Sequence, residues 1–451
     1  MQEMNKPDNS SHEKNILRSF RINESGSGCE LVQDLLRAEG FVFEPEPFSP
    51  AAFRLRHEPF PLGSSLAAFF GLIYIQDRSS MLPPLILHPE PGTGVLDMCA
   101  SPGSKSGFLS LLTGPAGLVL ANEPNHSRLG TLRANLGQQN FLQAATCCFQ
   151  GQDIPLPPES CPYILLDPPC SGWGTVEKNP QAIKLWSSEK ARTLAGLQQL
   201  LLSKAAWLLM PGGELVYSTC TTNPAENEAQ VGWALENLPL EQIPLHPIPG
   251  FDSALSLREK AISIAPCRGE GQGFFMAKFR RRPGPAPALP EPPDPLRKSA
   301  CRRKTKGGEG KTAEGTAQDY MPALLSRRLL DSEITDSSLL PPGELAEHRG
   351  RVMFLPQRLL QTAPPFPVQG TFVAKLAQGA ALPLPHMRSL LVPAGNGPGL
   401  DVEDIAPIRQ LLSGQSLSVN LPGKNRIALY YKSLPLGILR IINGRAIWAE
   451  R

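Results

Sequence analysis

Asp97-Met98-Cys99-Ala100-Ser101-Pro102-Gly103-Ser104-Lys105 follows directly on the apolar run Gly94 to Met98 and opens a helical pattern. A tight turn of small residues between a strand and a helix lets a ligand approach the backbone amides and the positive helix end. The next run, Leu118 to Asn122, ends at Glu123, a carboxylate about twenty residues downstream, where doubly wound folds accept hydrogen bonds from ribose hydroxyls. An adenosine-bearing cofactor fits both features, although Glu123 also suits an ordinary helix-start acid. The turn is not GxGxxG, which weighs against a dinucleotide.

Outward from this turn the same rhythm continues. Tyr163 to Leu166 and Glu214 to Ser218 read as further strands, and Ser187 to Met210 as a helix with Leu194, Leu197, Leu201 and Leu202 at amphipathic spacing, closed by Pro211-Gly212-Gly213. Strand–helix alternation predicts an α/β fold, a Rossmann-like parallel sheet with helices on both faces and ligands beyond the carboxyl ends of the strands. In the C-terminal part, Arg426 to Tyr431, a turn at Leu434-Pro435-Leu436-Gly437 and Ile438 to Ile442 predict a hairpin, with a helix over Asp401 to Leu412 beside it.

The 451 residues, 41% hydrophobic and 19% charged, suffice for two or three domains and exclude a wholly disordered or fibrous chain. The longest apolar stretch, Leu66 to Ile75, falls short of the roughly 18 residues a membrane-spanning helix needs. Met1 to Lys14 lacks the pattern of a secretory signal, so a cytoplasmic protein is expected. The nine cysteines include no pair at zinc or redox spacing, and His57, His88 and His126 show no ligand spacing, so no metal is expected. Net charge is only +3, but Arg280 to Lys311 carries ten Lys and Arg against three acids. Seven prolines between Pro283 and Pro295, followed by glycines, mark that basic segment as a linker.

Two cysteines follow two different strands: Leu166-Asp167-Pro168-Pro169-Cys170-Ser171-Gly172 and Tyr217-Ser218-Thr219-Cys220-Thr221. Both thiols should reach one sheet edge, where partial exposure and nearby helix starts favour a reactive thiolate. Lys105 reads equally as a solvated first-turn lysine or as a contact that lowers the thiol pKa or holds substrate, while Phe108 and Trp173 read as core aromatics rather than base-stacking platforms.

These blocks resemble the Sun-type, RsmB/RsmF-like RNA cytosine-5 methyltransferases, and most closely the bacterial branch acting on 16S ribosomal RNA. The resemblance runs from about Pro59 to Phe279 and includes Gly71-Leu72-Ile73-Tyr74-Ile75-Gln76-Asp77-Arg78, the cofactor turn, both cysteine loops, Glu226-Asn227-Glu228 and Gly271-Gln272-Gly273-Phe274-Phe275. It implies a methyltransferase sheet with one antiparallel strand, here Gly273 to Phe279, and S-adenosyl-L-methionine over Cys99, Ala100, Ser101, Pro102, Gly103, Ser104 and Lys105. It further implies that Glu123 holds the ribose, Arg128 supports that edge, Asp153 sits near the adenine and Asp167 stands between cofactor and base. Cys220 would be the nucleophile and Cys170 the cysteine that helps release product. Ser101 and Ser104 replace small residues usual in the family, Glu123 stands where many relatives have aspartate, and Trp173 where an acidic or small residue is usual.

The implied organisation is a disordered tail (1–14), an N-terminal α/β cap (15–80), a methyltransferase domain (81–282), the basic linker (283–319) and a small C-terminal PUA-like RNA-binding module (320–451). The implied activity is methylation of cytosine carbon 5 in RNA, most closely 16S ribosomal RNA, by a monomer with an RNA partner and no membrane contact. A transfer RNA enzyme of the same chemistry and a silent ribosome-assembly factor are the alternatives. Enzymes that methylate cytosine in DNA place the attacking cysteine in the Pro-Cys loop and need no Thr-Cys partner, so DNA is disfavoured.

Overall fold

A computed structural model describes residues 18–175, 188–251, 255–258, 260–265, 271–285, 287, 323–362, 364, 366–377 and 380–449. The tail and nearly all of the basic linker lie outside these residues. The N-terminal part pairs β1 (Ser19–Ile22), β2 (Val42–Glu46), β3 (Ser49–His57) and β4 (Ile73–Ile75) in the order β2-β3-β1-β4, with α1 (Ser27–Ala38) and α2 (Leu66–Phe69). Val32, Leu35 and Leu36 recur at helical spacing on α1 and are fully buried against this sheet.

The central sheet starts with α3 (Leu82–Leu87), β5 (Gly94–Asp97), α4 (Ser104–Thr113), β6 (Leu118–Asn122), α5 (His126–Gln138), β7 (Ala144–Cys147) and β8 (Cys161–Leu166). It continues with α6 (Ser188–Leu208), β9 (Leu209–Thr219), α7 (Glu228–Asn237), β10 (Leu240–Ile243), β11 (Leu255–Arg258), β12 (Ala261–Ile264) and β13 (Phe274–Arg281). Strand order is β11-β12-β13-β9-β8-β5-β6-β7, with β10 also on β13. Neighbours from β7 to β9 are parallel, and β13 runs antiparallel to β9. Successive residues of a strand face opposite ways: Val95, Val119, Leu165 and Val216 pack with α3 and α4, whereas Leu96, Leu120, Ile164 and Leu215 pack with α6. The chain therefore crosses from β5 to β6 on one side and β8 on the other, the switch point at which such sheets bind ligands.

Three local expectations change. Pro211-Gly212-Gly213 does not precede the strand but bulges within it: pairing jumps from Cys161↔Leu209 to Tyr163↔Glu214, with Gly212 at φ 79. The β11–β12 hairpin adds antiparallel pairing beyond the single expected strand. Trp173 is 40% exposed rather than core, while Phe108 is buried as expected.

The C-terminal part carries two sheets, consistent with the expected PUA-like α+β module. The first joins β14 (Leu324–Leu325), β15 (Gly343–His348), β16 (Arg351–Pro356), β17 (Thr371–Ala377) and β18 (Ala380–Pro383), with α8 (Gln357–Thr362). The second joins β19 (Gly399–Val402), β20 (Leu417–Ser418), β21 (Arg426–Tyr431), β22 (Leu434–Ile442) and β23 (Arg445–Trp448), with α9 (Ala406–Leu412). Asp401 and Val402 belong to β19, a parallel partner of β21, so the helix expected from Asp401 starts later. The hairpin turn is Lys432-Ser433, both at positive φ, and Leu434 to Gly437 are already strand. The two-residue loop adopts the left-handed geometry that matches strand twist without the usual Asn-Gly signal.

Both sheets pack onto the rest of the chain. Met353, Leu355, Leu359 and Phe366 join the core beneath α6, and Ile408, Leu411, Leu436 and Trp448 join the N-terminal core. At the junction of the N-terminal sheet and α4 lies Arg21, fully buried, donating to Gln76 Oε1 (2.5 Å), Ser104 O (2.8 Å) and Gln139 Oε1 (2.6 Å) under the Tyr74 and Phe108 rings. Burial pulls its pKa down to about 9. Removing it would strand a carbonyl and two amide oxygens without donors, so Arg21→Met should lower stability by about 2–4 kcal/mol. A urea midpoint equal to that of the wild type would show this clamp to be dispensable.

Candidate active site

The turn after β5 is held from three sides. Ser101 Oγ donates to Arg128 O (3.1 Å), Arg128 Nη2 to Ser101 O (3.1 Å), and Asn135 Nδ2 to Pro102 O (2.8 Å), so α5 fixes the loop. The Ser101-Pro102 peptide is cis, and Gly103 has φ 104, a conformation that favours glycine. Among the described residues no side chain caps α4, which leaves its first amides directed at the sheet edge. Asn122 Nδ2 ties Met98 O (3.0 Å) to Phe149 O (2.9 Å), setting the neighbouring loops side by side.

Glu123, with its side chain 2% exposed, accepts from Asn125 N (2.8 Å) and lies 3.4 Å from Arg128 Nη2. The exposed Asp153 sits on the 3-10 turn Gly151–Asp153, which backs onto the Met98 carbonyl. Asp97 is a residue the sequence reading passed over. Its Oδ2 accepts from Ser106 Oγ (2.7 Å), yet among the described residues its buried Oδ1 meets no hydrogen-bond partner. Burial raises its pKa to about 6, against the Ser106 hydrogen bond and the nearby Lys105 ammonium. An unsatisfied buried carboxylate oxygen, a glycine turn at an uncapped helix start and a buried acid after β6 fit the amino, methionyl and ribose parts of S-adenosylmethionine.

On the other side of the switch point the two thiols meet. Cys170 Sγ and Cys220 Sγ lie 3.0 Å apart, both half-buried. Gly174 pins the first loop to the second: its N–H donates to Cys220 O (2.9 Å), its carbonyl accepts from Gly273 N (3.0 Å), and a Cβ there would stand 2.1 Å from Gly273 O. Glu226 completes the clamp. It is fully buried and accepts from Ser171 N (2.9 Å), Gln198 Nε2 (3.1 Å) and Asn223 Nδ2 (3.0 Å), while Asn227 binds Thr219 and Thr221 (2.6 and 3.0 Å). Glu226 and Asn227 had been visible only as parts of a resembling block. Two polar residues just after a reactive loop and just before a helix are the signal that could have marked them as positioning groups.

Lys105 resolves in favour of a site contact. Its Nζ donates to Asp167 Oδ2 at 2.7 Å, with the side chain 12% exposed, and Ser218 Oγ donates to Asp167 Oδ1 at 2.9 Å. Burial opposes the lysine's charge, but Asp167 outweighs it and holds the ammonium's pKa above its ordinary value. With Cys170 as the donor, the hydrogen bond between the sulfurs pulls the Cys220 pKa below the ordinary thiol value; burial and Asp167 oppose this and Lys105 assists. Cys170 moves the other way, raised chiefly by that same hydrogen bond and by burial. Burial and surrounding acids also push the Cys99 thiol up, which leaves it inert. Of the two sulfurs, Cys220 is the one whose pKa is drawn below the ordinary thiol value.

Together, the switch-point loop and paired thiols on this sheet define a fold of the S-adenosylmethionine-dependent methyltransferase class. Residues 84–280 match the family described as 16S rRNA methyltransferase RsmB/F. Among curated proteins, the Ribosomal RNA small subunit methyltransferase F of Escherichia coli (strain K12) and that of Escherichia fergusonii are each 37% identical over 286 residues, covering 61% of this chain and 59% of theirs. The chain thus spans about three fifths of the length of the curated relatives it matches (59%). A solved methyltransferase homolog protein from Pyrococcus horikoshii is 36% identical with TM-score 0.50, covering 60% of this chain and 88% of that one. NSun6 from the same organism, solved with SFG, shares the fold at TM-score 0.52 and 19% identity, covering 60% and 91%. The chain belongs to the RsmB/F-type methyltransferases.

Two outcomes follow from the charges. Asp97 has its folded pKa (about 6) above the ordinary 3.8, so its contribution to stability is full below 3.8 and lost as pH rises to about 6. The stability of Asp97→Asn relative to wild type should therefore be higher at pH 8 than at pH 4 by about 3 kcal/mol, measured by denaturant titration; equal differences at both pH values would refute the burial argument. Alkylation of Cys220 by iodoacetamide should follow a thiolate curve that inflects below the ordinary thiol value of 9.0. Lys105→Met should move that inflection to higher pH, and an unmoved curve would remove Lys105 from the thiol's electrostatics.

Proposed function

We propose that the protein methylates carbon 5 of cytosine in small-subunit ribosomal RNA, with S-adenosylmethionine as donor and a transient bond between Cys220 and the base. The observation that carries this reading is the pair of sulfurs 3.0 Å apart beside the Lys105–Asp167 ion pair. The substrate class rests on the relatives' name, Ribosomal RNA small subunit methyltransferase F.

Cytosine carbon 5 is a weak nucleophile until a group adds at carbon 6. Cys220 as thiolate adds there, and charge develops toward nitrogen 3, where the Lys105–Asp167 pair stands ready to supply a proton. Asp167 accepts hydrogen bonds at both oxygens, so it can also receive one from the exocyclic amine that cytosine has and uracil lacks. When bound, S-adenosylmethionine supplies an electrophilic methyl group to carbon 5. Glu123 and Arg128 would hold the ribose edge, Asp153 would flank the adenine, and the 99–105 turn would cradle the rest.

The last step removes the carbon 5 proton and expels Cys220. Cys170 is held protonated chiefly by donating to Cys220. Once Cys220 sulfur is bonded to carbon, that acceptor is gone and the Cys170 pKa falls; Cys170 gives its proton to water and, as thiolate, takes the carbon 5 proton while the carbon 6–sulfur bond breaks, Cys220 leaves as thiolate and nitrogen 3 returns its proton to the Lys105–Asp167 pair. A base inside a duplex cannot present carbon 6 to a thiol, so the target must be single-stranded or flipped.

Cys220→Ala should lower methyl transfer to small-subunit ribosomal RNA by at least about a thousandfold, while Cys170→Ala should accumulate a denaturation-resistant protein–RNA adduct. An adduct in the first variant instead would exchange the two roles. With labelled donor and separate small-subunit, large-subunit and transfer RNA pools, label confined to transfer RNA would overturn the substrate, and label in none would overturn the activity.

A further inference from the structure

Away from the thiols, a groove runs along α5 between the methyltransferase domain and the first C-terminal sheet. Two cavities of about 680 and 350 Å³ share Arg133 and Gln369 and so form one trough. Its α5 wall is the face that carries His126, Gly130, Arg133 and Gly137, spaced three to four residues apart. From His126 to Gln138 this wall is about 18 Å long. Its opposite wall is the tip of the β15–β16 hairpin, His348, Arg349 and Arg351, backed by Phe372 of β17.

Charge on the two walls has one sign. Three arginines line the groove, with no Asp or Glu among its lining residues. Among the described residues, none of Arg133, Arg349 and Arg351 pairs with a carboxylate: Arg133 donates to the Thr146 hydroxyl (2.8 Å), and Arg351 lies 5.1 Å over the Phe372 ring. At the far end Phe69, 42% exposed, presents a second aromatic ring. Arginines unneutralised by acids, interleaved with aromatic faces along a trough, match a single-stranded nucleic acid, whose phosphates meet the cations and whose bases stack on the rings. The groove's space is built in: a Cβ at Gly130 or Gly137 would meet nothing within 4 Å.

We propose that this groove holds a single-stranded segment of the RNA substrate, flanking the modified base, through phosphate contacts to Arg133, Arg349 and Arg351. The inference rests on the proposed RNA methylation and adds a binding surface outside the catalytic edge. The groove opens at His126 and Cys148, beside the loop after β7 and next to the Arg128 end of α5. His126 and Cys148 follow β6 and β7, so this mouth lies on the same carboxyl edge of the parallel sheet as the loops that carry Cys170 and Cys220.

The test uses the full chain, a short labelled single-stranded RNA of mixed sequence, and fluorescence anisotropy across a series of KCl concentrations. Two variants probe the groove: the charge reversal Arg349→Glu with Arg351→Glu, on an exposed hairpin tip, and Gly137→Trp, which fills open space. Binding of S-adenosylhomocysteine serves as the control for folding. The charge reversal should weaken RNA binding at least tenfold at low salt and flatten the slope of log Kd against log salt by about 1.4, at about 0.7 per lost phosphate contact. Gly137→Trp should weaken binding with the slope unchanged. If the wild type binds RNA and both variants bind it equally well, the groove proposal fails and the proposed function stands. If the wild type binds no RNA, both fail. Loss of binding to the assembled small subunit with unaltered binding to naked RNA would assign the surface to a protein partner and overturn the proposal.

Discussion

The ammonium of Lys105 is the charge on which the catalytic edge depends. It reaches across from the start of α4 to the loop after β8, and so joins the cofactor side of the cleft to the thiol side by one contact of 2.7 Å. Coulomb attraction at such range is worth about 6 kcal/mol in an effective dielectric near 20, and desolvation of two ions offsets it by several kcal/mol. The pair therefore fixes geometry without locking it, and an arriving base can exchange hydrogen bonds with either partner at little net cost. The same ammonium biases the neighbouring sulfurs, since it favours a thiolate at Cys220, while Cys170 retains its proton as donor.

Position is supplied by groups with no chemistry of their own. Glu226 gathers three donors from the loop and helices around Cys170, and Gly174 threads between the Cys220 carbonyl and Gly273. Arg21 does for the cofactor turn what Glu226 does for the thiols, holding Ser104 from the N-terminal sheet. The catalytic edge is thus braced from three separate stretches of sequence, and a fault in any of them would be felt as a displacement of sulfur or of the turn.

How much of this was legible in the sequence depended on whether the signal was local. The strand Leu118–Asn122 stands where its apolar run ends, and the turn after β5 opens a helix at Ser104, because small residues there leave the backbone little choice. The thiols could be placed at one edge from βαβ rhythm alone, and the structure brings them together. What was not legible depended on distant partners. Trp173 reads as a core aromatic by composition, but the fold leaves it 40% exposed. Lys105 could be assigned only once Asp167, sixty-two positions away, was seen to meet it. Asp97 escaped notice because an acid at a strand end is ordinary; its unsatisfied oxygen is a property of the packed fold. The Lys432-Ser433 turn carries no glycine to announce its positive φ values.

One join outside the catalytic edge bears on how the molecule is built. β7 is the outermost parallel strand, and Thr146 exchanges backbone hydrogen bonds with Gln369 at 2.8 and 2.9 Å. The C-terminal segment therefore occupies what would be a bare strand edge, and Met353 and Leu355 behind it shield apolar side chains of the catalytic layer. Cut at the linker, the catalytic half would display both a vacant ladder and a greasy flank, the combination that recruits other chains into aggregates. The appended half thus covers an edge residue and an apolar flank of its neighbour that would otherwise meet solvent.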